Sequence, residues 1–144
     1  MTEQELYDYA VSLLVKKNYS SGNMKRQLAK LAEKTGDVEH VLCRLTDNHY
    51  LNDAEFITYL FDKHIKKLHG PTRIKQEIRQ KGFLQALIEQ EIEKGNIDWY
   101  VLAKEARVRK FGEALPSDSK EKNKQIRYLQ YKGYTMDMIF EALS

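Results

Sequence analysis

The sequence predicts an all-α chain of three tandem three-helix repeats forming an elongated, curved array. Three observations carry that expectation. Apolar residues recur at three-and-four spacing along nearly the whole chain, and no stretch shows convincing strand alternation. Only two prolines and seven glycines interrupt 144 residues, and with serines, asparagines and aspartates they divide the chain into nine segments of helical length. Lys81-Gly82-Phe83 also returns 51 residues later as Lys132-Gly133-Tyr134. At that offset Ile78 falls on Leu129, Leu87 on Met138, Ile88 on Ile139 and Ile92 on Leu143.

The repeats are expected at residues 1–50, 51–95 and 96–144. In the first, Leu6, Tyr9, Ala10, Leu13 and Leu14 form one stripe. Ser20 or Ser21 offers a cap for a second helix with Met24, Leu28 and Leu31, which Gly36 can close in the left-handed conformation. Asp37 then caps a third helix with Val38, Val41, Leu42 and Leu45.

The second repeat opens on Asn52, with Glu55 three positions on, and continues through Phe56, Leu60 and Ile65. Gly70-Pro71 stops that helix and starts the next, because proline at the first helical position loses no needed hydrogen bond. Ile74 and Ile78 give the new helix its buried face. After Lys81-Gly82 the stripe is Leu84, Leu87, Ile88 and Ile92. The third repeat starts near Asp98, with Tyr100 or Val101, Leu102, Ala106 and Phe111 available for burial. Ser117 is the expected cap for a helix with Ile126 and Leu129; Gly133 ends it, and Thr135 caps a last helix with Met136 or Met138, Ile139 and Leu143. Repeats of this size stack on their neighbours and present a long surface, suited to an extended partner.

Several function classes lack their residues. No Gly-rich phosphate loop or dinucleotide fingerprint is present; the glycines stand singly at helix ends. His64 and His69 are five apart and do not share a helix face, and His40 with Cys43 lacks an evident third ligand, so no metal site is expected. Cys43, the single cysteine, lies among Val41, Leu42 and Leu45, where a buried, inert thiol is expected; it permits no internal disulfide. Glu89, Glu91 and Glu93 alternate, which spreads them around a helix instead of converging them for acid–base work. No cofactor and no enzymatic activity are expected. The acidic start, Met1-Thr2-Glu3-Gln4-Glu5, and the absence of a long apolar run give a cytoplasmic expectation with no membrane segment.

The net charge of +3 is a mild basic excess, unevenly placed. Glu3, Glu5 and Asp8 make the first helix acidic, whereas cations gather in the second and third repeats. Lys63, Lys66 and Lys67 form one group; Arg73, Lys75, Arg79 and Lys81 a second; Arg107, Arg109 and Lys110 a third; and Lys120, Lys122, Lys124 and Arg127 a fourth. Such an asymmetry can attract DNA phosphates or an acidic protein surface. Tyr128, Tyr131 and Tyr134 sit near lysines and can stack on bases or, as is commoner at helical spacing, pack on their own core.

Four segments resemble the RecX family of bacterial recombinase regulators. The first is Ala10-x-x-Leu13-Leu14, with Tyr19-Ser20 and Leu28 after it. Tyr50-Leu51-Asn52-Asp53-x-x-Phe56 is similar to the family's Leu-x-Asp-x-x-Phe-Ala. Gly70-Pro71-x-Arg73-Ile74-x-x-Glu77-Ile78-x-x-Lys81-Gly82 resembles its Gly-x-x-Arg-Ile-x-x-Glu-Leu-x-x-Lys-Gly. Arg127-Tyr128-Leu129-x-x-Lys132-Gly133-Tyr134, followed by Ile139 and Ala142-Leu143, resembles its closing Arg-x-Leu-x-x-Arg-Gly-Phe and apolar end. Ile57 replaces the usual alanine, Ile78 the usual leucine, and Lys63 and His64 stand where arginine is common.

A monomer is the expected state, and the resemblance implies a protein that binds RecA nucleoprotein filaments along their groove and opposes filament growth. It implies damping of RecA's strand exchange, ATP hydrolysis and co-protease activity, and so a place in DNA repair, homologous recombination and the SOS response. Contacts with the filament, or with single- or double-stranded DNA, are expected from Arg73, Lys75, Arg79, Lys81, Arg107, Arg109, Lys110, Lys124 and Arg127. The rival expectation is a helical protein that binds DNA without sequence preference.

Overall fold

Residues 1–144, described by a computed structural model, form nine α-helices and no strand. In order they are α1 (Glu3–Lys16), α2 (Ser21–Ala29), α3 (Thr35–Asp47), α4 (Asp53–Lys66), α5 (Pro71–Gln80), α6 (Gln85–Gly95), α7 (Trp99–Phe111), α8 (Ser119–Lys132) and α9 (Met136–Ala142). Most begin where a side chain can take up the unpaired amides of the first turn. Thr2 accepts from the Glu5 amide while Glu5 accepts from the Thr2 amide. Ser20, Asn52 and Asp98 accept from the amides of Asn23, Glu55 and Val101. Gly70-Pro71 opens α5, and Gly133 ends α8 at φ 103°, a conformation that glycine adopts at little cost.

Several local expectations give way. Gly36 lies inside the first turn of α3 and is not left-handed; α2 ends earlier, at Ala29. The chain end holds the intervening turn: the Met1 amino group donates to Leu31 O at 2.9 Å, and the Glu33 amide donates to Met1 O at 3.4 Å. Leu31 therefore leaves the apolar stripe, and Asp37 sits within the first turn instead of capping it. Asp118, not Ser117, caps α8, accepting from the Glu121 amide at 2.8 Å. Leu84 is the N-cap of α6 and lies in solvent, 78% exposed. Cys43 is exposed, because α3 turns Val41 and Leu45 inward and Cys43 away from them. Helix α4 buries Ile57, Leu60, Phe61 and His64, a stripe whose fourth member reads as polar in the sequence.

The helices pack chiefly in threes. Eight buried side chains, from Leu6 to Leu51, form the core of α1–α3. Ile57, Leu60, Phe61, Ile74, Ile78, Phe83 and Ile88 form that of α4–α6. Leu68 joins Ala103, Ala106, Leu129, Tyr134, Ile139 and Ala142 in that of α7–α9. Cores this small do not stabilise a unit alone, so the joints between units contribute to the fold. The accessible surface of 9136 Å² exceeds the roughly 7,700 Å² expected of a compact monomer of this mass, as a stack of small units requires.

Both joints use one device: the start of a unit's middle helix docks on the Gly-containing turn of the unit after it. At the first joint, Gly22 of α2 lies so close to Gly82 that a Cβ on Gly22 would overlap the Gly82 carbonyl. At the second, a Cβ on Gly70 would overlap the Gly133 carbonyl, and one on Gly133 would overlap Arg73. The duplicated Lys-Gly-aromatic element is thus the socket of each joint. Phe83 and Tyr134, its aromatic members, are both buried.

Candidate interface at the second joint

Helices α5 and α8 meet at the second joint because their glycines allow backbone to approach backbone. The Gly70 amide donates to Lys132 O at 2.7 Å, and the Thr72 amide donates to Gly133 O at 3.0 Å. Tyr134 Oη donates to Leu68 O at 2.7 Å, and Lys132 Nζ to Lys67 O at 3.1 Å. Burial pushes the Tyr134 hydroxyl far above the ordinary phenol value, which keeps it a neutral donor. Trp99 packs on the cores of both units.

Around this seam the cations of the two units converge. The Arg73 guanidinium lies 4.9 Å from the centre of the Tyr131 ring and donates from Nε to Glu77 Oε1 at 3.0 Å. Lys110 Nζ and Lys132 Nζ approach the Tyr128 ring at 5.6 and 5.8 Å. Burial lowers the Lys132 ammonium below its ordinary value, and the nearby charges of Arg73, Lys110 and Lys67 lower it further. On the α4 side, Lys63, Lys67 and Lys81 line a depression of about 210 Å³ with Leu60, His64 and Glu77. Glu77 is the local counter-charge. Its burial raises the carboxyl, but the Arg73 hydrogen bond and charge outweigh that and hold it below the usual range.

Along α8, Lys120, Lys124 and Arg127 share a face with Tyr131 at steps of four, three and four residues, and the first three line a shallow depression with Ser117, Asp118 and Glu121. Tyr131 is 70% exposed, so the stripe ends on an open ring beside Arg73. Tyr128 packs edge-on against Phe111 at 5.3 Å and is half-buried. Of the three tyrosines, only Tyr131 offers a largely free face.

The residues expected to contact a partner therefore divide. Arg73 and Lys110 flank the seam, Lys81 lines the α4-side depression from the turn of the first joint, and Lys124 and Arg127 follow along α8. Lys75 and Arg79 are exposed and one turn apart on α5, off the Tyr131 side. Arg109 is exposed but pairs with Glu105 at 2.9 Å. Arg107 is a correction. It is 1% exposed, and its guanidinium donates to Ala142 O at 2.8 Å, Ala114 O at 3.2 Å, Gly112 O at 3.3 Å and Glu113 O at 3.5 Å. It ties the α7 end to α9, so it cannot reach a partner. Periodicity carried the warning, since Arg107 stands beside Ala103 and Ala106 on the inward face. Sequence reasoning named Tyr131 as a ring near lysines that can stack on bases, but left Lys132 out of the basic groups, although the repeated Lys-Gly-aromatic element contains it.

The two histidines set aside by their spacing do meet. After α4, Leu68 turns left-handed at φ 60° and brings His69 back, so His64 Nδ1 and His69 Nδ1 lie 2.7 Å apart. His64 Nε2 faces Glu77 Oε2 at 3.5 Å. Burial holds both imidazoles below their ordinary value, His69 at about 4.

A profile for the third three-helix domain of RecX matches residues 97–143. The regulatory protein RecX of Acinetobacter baylyi is 37% identical over 139 residues, covering 96% of this chain and 86% of that protein. The same protein from Salmonella typhimurium is 38% identical over 144 residues, covering 93% and 87%. The crystal structure of RecX from Lactobacillus salivarius superposes with a TM-score of 0.76 at 19% identity, covering 97% of this chain and 93% of that one. A second RecX crystal structure gives 0.77 at 20% identity, covering 98% and 72%.

Proposed function

The chain belongs to the RecX family, and from that premise we propose that it binds RecA nucleoprotein filaments and opposes their growth. Binding would restrain the recombinase, ATPase and co-protease activities of RecA without any catalysis by this protein. The observation that carries the reading is the gathering of cations at and beside the second joint. Lys63, Lys67 and Lys81 line the α4-side depression, Arg73 lies over Tyr131, Lys110 and Lys132 lie beside Tyr128, and Lys124 and Arg127 follow along α8, on a stack with more surface than a compact monomer. A charged face that crosses a joint can touch two neighbouring subunits of a filament, and by linkage it favours whichever filament state it binds better. No helix is long and apolar enough to cross a membrane, and action as a monomer in the cytoplasm is part of the proposal.

Binding of free single- or double-stranded DNA is the second reading. The open ring of Tyr131, flanked by Arg73 on a lysine-bearing helix, favours it, since stacking plus phosphate attraction is how single strands are held. The two readings separate in RecA ATP hydrolysis on single-stranded DNA, with this protein titrated onto preformed filaments and DNA saturating. Inhibition well below one molecule per RecA is expected, because sequestering excess DNA cannot produce it. Inhibition relieved in proportion to added DNA would establish the second reading. Reversing Lys110, Lys124 and Arg127 to glutamate should weaken inhibition by about tenfold or more. Unchanged inhibition by that folded variant would move the contact off this face.

A further inference from the structure

The segment that receives the third unit, Lys67 to Thr72, is held in shape by the histidine pair beneath it. Its docking atoms are the carbonyls of Lys67 and Leu68 and the amides of Gly70 and Thr72, all paired with Lys132, Gly133 or Tyr134. Between them Leu68 occupies the left-handed region, which a branched residue enters only when its surroundings impose it. The His69 amide donates to His64 O at 3.1 Å, and the His69 ring is fixed by the 2.7 Å contact with the His64 ring. His64 and His69 are 8% and 4% exposed.

The protons of the pair follow from its neighbours. Glu77 faces His64 Nε2 and favours the hydrogen there, which leaves His64 Nδ1 bare to accept from His69 Nδ1–H. The one ring nitrogen still free to take a proton is His69 Nε2. The charged groups around the pair are Lys63 of α4 and Lys67 at its end, Arg73 and Glu77 of α5 and Lys81 at its end, and Lys132 from α8. Five cations face one carboxylate, and that carboxylate is already shared with Arg73. A first added proton puts another positive charge among them; a second sets two N–H donors against each other at 2.7 Å.

The same crowding argues against a metal ion. Two nitrogens bound to one tetrahedral ion at about 2.05 Å each stand about 3.3 Å apart, wider than this pair, and the surrounding cations repel a further positive charge.

We propose that the His64–His69 pair is a proton-sensitive latch on the joint between the second and third units. Neutral, it holds the Lys67–Thr72 segment in the shape the third unit docks on. Charged, it releases His69 to water, takes Leu68 and Gly70 out of register and frees the third unit to swing. The first joint has no such device: Ser20 donates to Lys81 O, and Asp53 accepts from the Ser21 amide at 2.8 Å and from Ser21 Oγ at 2.5 Å.

The direction of the effect follows from linkage. An exposed histidine titrates near 6.5 and His69 in the closed joint at about 4, so the open form binds the extra proton between those values. The closed joint is fully favoured above that window and weakens as pH falls through it. By this arithmetic the closed-to-open ratio falls about 25-fold between pH 7 and pH 5.

Hydrogen–deuterium exchange of the whole chain reads this directly. After correction for the intrinsic pH dependence of exchange, the Gly70 and Thr72 amides should exchange about 25-fold faster at pH 5 than at pH 7, with the Ser21 amide of the first joint little changed. In His69→Gln, which can still hydrogen-bond His64 Nδ1 but does not titrate, the Gly70 and Thr72 amides should lose the share of that dependence carried by His69, keeping only what the buried His64 ring contributes. Equal acceleration at both joints, or an unchanged pH response in His69→Gln, overturns the proposal. His69→Asn, a second variant that keeps a hydrogen-bonding side chain and does not titrate, serves should the first fold poorly: an unchanged pH response of the Gly70 and Thr72 amides in it also overturns the proposal.

Discussion

The two joints share one backbone plan and differ in the chemistry that locks it. At each, a glycine at or beside the start of a unit's middle helix lies against the Lys-Gly-aromatic turn of the next unit. The first joint is closed by small neutral and acidic groups, Ser20, Ser21 and Asp53, within a region whose opening helix is acidic. The second is closed by Lys132, Arg73, Tyr134 and the histidine pair, and the cationic face gathers around it. A repeat protein can therefore keep its packing geometry fixed while assigning electrostatic work to one seam. The seam that collects charge is also the one whose stability depends on pH.

The sharpest way to break the comparison is to fill the glycine contacts. Gly133→Val adds a branched side chain at φ 103° where Arg73 leaves no room, and a loss of about 3 kcal/mol or more is expected in urea unfolding. Gly82→Val should cost a similar amount at the first joint, where the Ser20 hydroxyl and the Asn23 amide crowd the added atoms at φ 92°. A loss below about 1 kcal/mol at either site would mean that its joint contributes little to the fold.

Next comes Arg107→Met. It keeps the length of the buried stem but leaves the Ala142, Gly112 and Ala114 carbonyls without their donor, for an expected loss of about 2–4 kcal/mol. Its inhibition of RecA, measured where the variant remains folded, should be unchanged, which separates Arg107 from its exposed neighbours Arg109 and Lys110. Smaller still are single-group deletions at the two joints. Ser20→Ala removes the bond to Lys81 O at the first together with the α2 cap on the Asn23 amide, for about 2 kcal/mol by chemical denaturation. Tyr134→Phe removes the bond to Leu68 O at the second, for about 1–1.5 kcal/mol. A clearly larger loss for Tyr134→Phe would show the second joint to be the more cooperative. The smallest change serves as a control away from both joints: Gly36→Ala, inside α3 with nothing near the added methyl, should raise stability by up to about 1 kcal/mol.

Much of this architecture is legible in the residues. The helices announce themselves through caps such as Asn52 and Asp98, through Gly70-Pro71, and through stripes such as Ile74–Ile78 and Leu129–Ile139. The boundary errors are local: Gly36 looks like a terminator by residue type, but the chain end pins the preceding turn and α3 starts before it. The candidate site was legible as composition rather than as geometry. Arg107 and Arg109 are alike in the sequence, yet one is a core strut and the other a surface ion pair, because consecutive helical positions point about 100° apart. Lys132 reaches Lys67, and Tyr131 meets Arg73, only because two glycines let α8 approach α5.

By itself, the sequence determined the helical class, the order of the elements and the repetition of the Lys-Gly-aromatic turn, since these rest on short-range spacing and backbone preferences. Only the tertiary structure decided that this turn is a socket, that Arg73 staples two units, and that His64 and His69 share a hydrogen bond. Those contacts join residues from different turns or different units. Their existence depends on where a left-handed leucine and a glycine-to-glycine approach send the chain, which no local pattern encodes.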